Sequence, residues 1–107
     1  MSTDVKEMIK MKIASKKVMV FSKTYCGFCR TAKSVMKKYL GNLLAEDEYE
    51  VMEIDNDPNC NQIQTILQKM TGARSVPRVF INGKCIGGGD ETAALDRKGE
   101  LKKMLSC

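Results

Sequence analysis

The 107-residue sequence predicts an α/β fold: a small mixed four-stranded sheet flanked by helices on both faces. Three observations predict it. Apolar spacing switches between helical and strand periods in the order α-β-α-β-α-β-β-α. The first two strands are separated by a helix, which favours a parallel pair joined by a right-handed crossover. Asn82–Gly83, between two apolar runs, marks a hairpin that adds antiparallel strands.

The elements follow in order. A helix start at Ser2–Thr3–Asp4 precedes Val5, Met8, Ile9 and Ile13, which share one helical face. KKVMVF, 16–21, is short and β-branched and reads as a buried strand. From Cys26 to about Leu40, Ala32, Val35, Met36, Tyr39 and Leu40 trace an amphipathic helix that stops near Gly41–Asn42. YEVMEI, 49–54, reads as a second strand. Asp57–Pro58 opens a helix that carries Ile63, Ile66, Leu67 and Met70 on one face and ends at Gly72. The hairpin occupies PRVFINGKCIGG, 77–88, and a closing helix over 90–107 breaks at Gly99. A chain of this length holds one compact domain, so 1–107 is read as a single domain.

Composition narrows the function. Hydrophobic residues make up 43% and charged residues 29%, the balance of a soluble globular chain. No apolar run approaches the roughly 18 residues that span a membrane, so no membrane partner is expected. The N-terminal stretch lacks a signal-peptide apolar core, and Asp4 and Glu7 argue against a transit peptide. The expected address is cytoplasmic. The net charge of +5, from 18 Lys and Arg against 13 Asp and Glu, suits an anionic partner. Aromatics are only 6% and no run of five or six basic residues occurs, so nucleic acid is not expected. A small anion fits better.

Five cysteines, an odd count without an export signal, argue against a disulfide framework and single out the close pair in KTYCGFC. A structural zinc site takes four ligands, usually two close pairs of Cys or His. Here there is one such pair, no histidine, and Cys60, Cys85 and Cys107 scattered, so no metal is expected. A reducing cytosol would open a permanent disulfide. Redox exchange fits the pair best. Cys26 follows a buried strand and opens a helix, whose free N–H groups and positive end stabilise a thiolate. Lys23 adds charge, and Cys29 lies one turn deeper. Cys26 is therefore the attacking thiol and Cys29 the resolving one. Lowering a thiol pKa from about 8.5 to about 4.5 raises the thiolate fraction at pH 7 roughly 30-fold. A Brønsted slope near 0.45 cuts nucleophilicity roughly 60-fold over the same range. The two nearly cancel, so the gain lies in Cys26 as a leaving group, which suits a carrier of mixed disulfides.

KTYCGFC, TGARSVPRVFING and CIGGGDE, in this order and spacing, resemble the active-site, proline-loop and glycine-loop motifs of the glutaredoxins, proteins of the thioredoxin fold. The resemblance covers about residues 5–105. It implies a monomeric, glutathione-dependent thiol–disulfide oxidoreductase, active in electron transport and cell redox homeostasis. Its partners would be glutathione as co-substrate, glutathionylated and disulfide-containing proteins, and glutathione reductase indirectly through glutathione. Cys26 would be the nucleophile and Cys29 its resolving partner. Lys23 and Gln64 would contact the glycine carboxylate of glutathione, with Arg74 in the same basic rim. Val76 would pair its backbone with the cysteinyl part, and Pro77 would be a cis-proline. Gly88 and Gly89, with Asp90 and Glu91, would hold the γ-glutamyl end, and Phe28 would wall the groove.

Each residue also has a plain reading. Val76–Pro77 can be a trans strand start, Gly87–Gly88–Gly89 a turn, and Lys23, Gln64 and Arg74 ordinary surface residues. Glycines leading into a helix N-terminus also make an anion site. Cys85 is read as packing, Cys60 sits near a helix start, and the methionines are mostly core filler. Gly27–Phe28 replaces the Pro–Tyr common in dithiol glutaredoxins and resembles the monothiol class, whose members handle iron–sulfur clusters. A glutathione-ligated [2Fe–2S] cluster shared by two chains is therefore the alternative expectation. Cys29 is kept and the tryptophan–proline element of that class is missing, so the chain reads as dithiol. A thioredoxin-type reductase is the other rival. The Lys23–Gln64–Arg74 and Gly88–Asp90 sets argue against it.

Overall fold

A computed structural model describes residues 2–107, and of Ser2 and Thr3 only the backbone. Helix α1 spans Ser2–Ser15, with Val5, Ile9 and Ile13 buried. The capping role read for Ser2 and Thr3 lies outside the described residues. Strand β1 (Val18–Ser22) is buried along its whole length. It starts two residues later than expected, and the Lys16 ammonium ahead of it donates to the Asp47 carbonyl at 2.9 Å.

Helix α2 (Gly27–Lys37) ends about three residues before the expected stop. Its last turn tightens, with Lys38 N–H donating to the Val35 carbonyl at 3.2 Å and Tyr39 N–H to that of Met36 at 3.0 Å. A 3-10 turn at Glu46–Glu48, which the sequence reading left as a connection, leads into strand β2 (Tyr49–Glu53). Helix α3 (Cys60–Thr71) begins after the expected Asp57–Pro58 start. The Asp57 carboxylate accepts the Asn59 N–H at 2.7 Å and so closes a separate turn ahead of the helix.

Strands β3 (Arg78–Ile81) and β4 (Lys84–Gly87) form the expected hairpin. Asn82 and Gly83 sit at φ 51° and 85°, the left-handed pair a two-residue turn requires. The closing helix breaks at Gly99, φ 76°, into α4 (Gly89–Arg97) and α5 (Glu100–Leu105).

The sheet order is β2-β1-β3-β4, with β1/β2 parallel and the other two pairs antiparallel. Alternation along the strands splits the apolar residues between the two faces. Val18, Val20, Val79 and Ile81 pack with Ala32, Met36, Leu101 and Leu105 from α2 and α5. Met19, Phe21 and Phe80 pack with Ile9, Ile13, Ile63 and Leu67 from α1 and α3. Phe21 and Phe80 meet edge to face at 5.9 Å. Each fully buried side chain of this size contributes roughly 1.5–3 kcal/mol, so both faces are needed to hold the sheet.

Strand directions position the site. β1 and β4 both run toward the sheet end at which antiparallel β3 begins. The loops carrying Cys26, Val76–Pro77 and Gly88 therefore gather at one end.

Candidate active site

Cys26 is the N-cap of α2, with extended backbone at φ −90° and ψ 124°. Its Sγ accepts the Cys29 N–H at 3.4 Å and lies 3.7 Å from the Val76 carbonyl oxygen. Cys29, one turn on, is fully buried, and its Sγ accepts the Lys23 N–H at 3.4 Å. The two thiols are pushed in opposite directions. Partial burial works against a Cys26 thiolate, but hydrogen bonds from the Cys29 thiol and from the Cys29 and Phe28 N–H groups, with the Lys23 charge, hold its pKa below the ordinary thiol value. Burial pushes Cys29 up, and a hydrogen bond to Cys26 and its charge add to that. Of the two, Cys26 is the sulfur that ionises first as pH rises.

The loop before Cys26 is anchored from the turn that follows β2. Thr24 donates its N–H to Asp55 at 3.2 Å and also its hydroxyl, and these bonds hold the Asp55 carboxyl below its usual range. Tyr25 and Phe28 project to solvent beside Cys26, 69% and 57% exposed.

Phe28, Val76, Pro77, Gly88, Gly89, Asp90 and Glu91, seven of the residues read from the sequence, line one cavity of about 200 Å³. The Val76–Pro77 peptide bond is cis. Among the described residues the Val76 N–H has no hydrogen-bond partner, so it is free to pair with an extended ligand. Helix α4 points its N-terminus at the same cavity, with the Gly88 N–H donating to the Glu91 carboxylate at 2.6 Å.

Lys23, Gln64 and Arg74 stand outside this cavity. The Lys23 ammonium sits 6.0 Å from the centre of the Tyr25 ring. Gln64 donates its amide to the Arg74 carbonyl at 3.0 Å and accepts from the Cys60 thiol at 3.6 Å. The Arg74 guanidinium is held by Thr65 at 2.7 Å and by Asn61. Cys60 and Cys85 are half-buried and pack against the α1/α3 core, so Cys85 is less enclosed than expected; Cys107 is exposed. Among the described residues no cluster of three or more Cys, Asp or Glu stands ready to hold a metal ion.

The sequence reading missed Asp55, Ser75 and Arg78. Nothing local marks Asp55 as an anchor, because its partner lies 31 residues away. Arg78 did carry a signal: a cation heading the apolar run VFI, at the first position of a buried strand.

A family model described as Glutaredoxin matches residues 18–86. A Caenorhabditis elegans protein named as an uncharacterised monothiol glutaredoxin is 37% identical over 95% of this chain, which spans 66% of that protein's length. Arabidopsis thaliana glutaredoxin-C4 is 42% identical, covering 92% of this chain and 69% of its own length. Among solved structures, oxidized glutaredoxin 2 from Chlamydomonas reinhardtii superposes with a TM-score of 0.87 at 43% identity, covering 97% of this chain and 92% of its own. A buckwheat glutaredoxin–glutathione complex does so with a TM-score of 0.85 at 36% identity, covering 98% and 90%. The mixed four-stranded sheet flanked by helices is thus the thioredoxin-like architecture of these structures. This chain belongs to the glutaredoxin family of thiol–disulfide oxidoreductases.

Proposed function

We propose that this chain works as a monomeric single domain in the reducing cytoplasm, using glutathione to reduce protein–glutathione mixed disulfides and protein disulfides. The observation that carries this reading is the divergence of the two thiols: a partly exposed Cys26 favoured as thiolate, and a buried Cys29 disfavoured. The cavity beside Cys26 supports glutathione as the ligand. It offers the free Val76 N–H for the cysteinyl backbone and the α4 N-terminus with Asp90 for the zwitterionic γ-glutamyl end. Lys23, Gln64 and Arg74, outside the cavity lining, would meet the glycine carboxylate. The buckwheat relative's glutathione complex supports the same ligand class.

The cycle balances with these groups. The Cys26 thiolate attacks the glutathione sulfur of a mixed disulfide, and the protein thiolate leaves and takes a proton. A second glutathione thiolate then attacks the Cys26–glutathione bond, releasing glutathione disulfide and the Cys26 thiolate. On a protein disulfide, Cys26 is left bonded to a bulky protein, and Cys29 displaces it intramolecularly at high effective concentration. Two glutathione molecules then reduce the Cys26–Cys29 disulfide.

The test is a glutathione-coupled assay on both substrate types. Cys29→Ser keeps or improves deglutathionylation, because the internal disulfide no longer diverts Cys26, and loses most activity on protein disulfides. Cys26→Ser loses both. Deglutathionylation that survives in folded Cys26→Ser, or disappears in folded Cys29→Ser, removes the assignment.

A further inference from the structure

Arg78 is the one charged residue in the strand that follows Pro77, and it is nine-tenths buried. Its Nε donates to the Pro77 carbonyl at 3.1 Å. Its terminal nitrogens bond to none of the described residues, and they are not sealed from solvent. They face the cavity beside Cys26, where Nη2 lies 3.1 Å from the point a Cβ on Gly88 would occupy. Among the described residues Arg78 forms no ion pair. The Glu91 carboxylate stands on the same wall, its Oε1 3.3 Å from that Gly88 point, and bonds the Gly88 N–H rather than the guanidinium. A mostly buried guanidinium whose terminal nitrogens hydrogen-bond to no carboxylate is costly, and a ligand carboxylate in the cavity offsets that cost. The N-terminus of the nine-residue helix α4 adds positive potential on the same small volume.

We infer that Arg78 is a specificity-determining residue: its guanidinium receives a carboxylate of the ligand in this cavity and sets the subsite's preference for an anionic over a neutral ligand. The inference rests on the glutathione reading above, in which that carboxylate is the α-carboxylate of the γ-glutamyl group. Asp90, on the cavity wall, faces the neighbouring α-ammonium. The terminal nitrogens then hydrogen-bond to a carboxylate only while substrate is bound, so the contact discriminates between ligands rather than holding the empty fold.

The experiment uses one cysteine peptide in three mixed disulfides: with glutathione, with an analogue carrying 4-aminobutyryl in place of γ-glutamyl, and with cysteamine. The analogue lacks only the α-carboxylate. Stopped-flow release of the peptide thiol gives the second-order rate constant for the reduced protein with each. The expected wild-type preference for glutathione over the analogue is roughly ten- to hundredfold, the range of a charge-assisted contact. Arg78→Gln should react with both at about the analogue's rate, and Arg78→Lys should recover part of the preference. A folded Arg78→Gln that discriminates as well as wild type overturns the inference. If Arg78→Gln does not fold, the decision passes to Arg78→Lys, which overturns the inference by discriminating fully without the guanidinium fork. A wild type that separates glutathione from cysteamine but not from the analogue overturns Arg78 and leaves the functional reading standing. A wild type that treats all three alike overturns both.

Discussion

At the scale of single residues the chemistry depends on what donates to Cys26. Helix-terminal N–H groups and Lys23 are the sources a sequence reader would name. In the fold the Cys29 thiol is the largest stabilising influence, followed by the Cys29 and Phe28 N–H groups, with Lys23 last. A thiol reacts with an alkylating agent only as thiolate, so its rate rises through its pKa and levels off above it. Site-resolved alkylation of the reduced protein by iodoacetamide should therefore place the Cys26 midpoint below the ordinary thiol value, with Cys29 above it. Cys29→Ala should raise the Cys26 midpoint more than Lys23→Gln does. The opposite ranking would mean that the Lys23 charge, not the thiol hydrogen bond, controls the nucleophile. The Cys pair was legible because spacing and a strand-to-helix position are local properties. Arg74 was less so: its cationic end is engaged by Asn61 and Thr65, an arrangement that appears only once α3 and the following loop are side by side.

Between elements, the site depends on how closely α2 and α4 approach. A Cβ added to Gly89 would lie 2.5 Å from the Phe28 carbonyl oxygen and 3.1 Å from the Phe28 Cβ. The obstacle includes backbone, so no rotamer relieves it. Gly89→Ala must push the first turns of α2 and α4 apart, which costs about 1–3 kcal/mol as overpacking and widens the cavity beside Cys26. Gly27 is the internal control, since a Cβ there meets nothing within 4 Å. Urea denaturation should show Gly89→Ala clearly destabilised and Gly27→Ala close to wild type. Equal stabilities would show that the two helices have slack. From sequence, Gly87–Gly88–Gly89 read as a turn or an anion loop, and neither reading contains this steric need. Element order and the hairpin were legible because period and turn chemistry are local. The boundaries of α2 and α3 were not, because a tightened last turn and the Asp57 turn decided them.

For the whole molecule, the edge strand β2 links the site to stability. Its Thr24-binding neighbour Asp55 holds the Cys26 loop, and its first residue, Tyr49, packs against the α2/α5 side of the core. Burial, aided by the Glu53 charge, pushes the Tyr49 hydroxyl up to about 12 from 10.0. Below pH 10 the hydroxyl is protonated in both folded and unfolded chains, and its contribution is fully present. As pH rises above 10 the unfolded chain loses this proton while the folded chain keeps it, so stability falls. The loss stops growing near pH 12, where the folded chain ionises too. Tyr39, raised by its bond to Asp96, and Cys29, raised by burial, also titrate at alkaline pH, so the comparison must be with Tyr49→Phe, which keeps the ring and removes one proton. Urea midpoints of the reduced protein should fall with pH in both proteins above pH 10, and more steeply in wild type. The two curves should run parallel below pH 10 and diverge across the window from 10 to about 12. Curves that stay parallel throughout would place the Tyr49 hydroxyl in water, and with it the outer edge of the sheet.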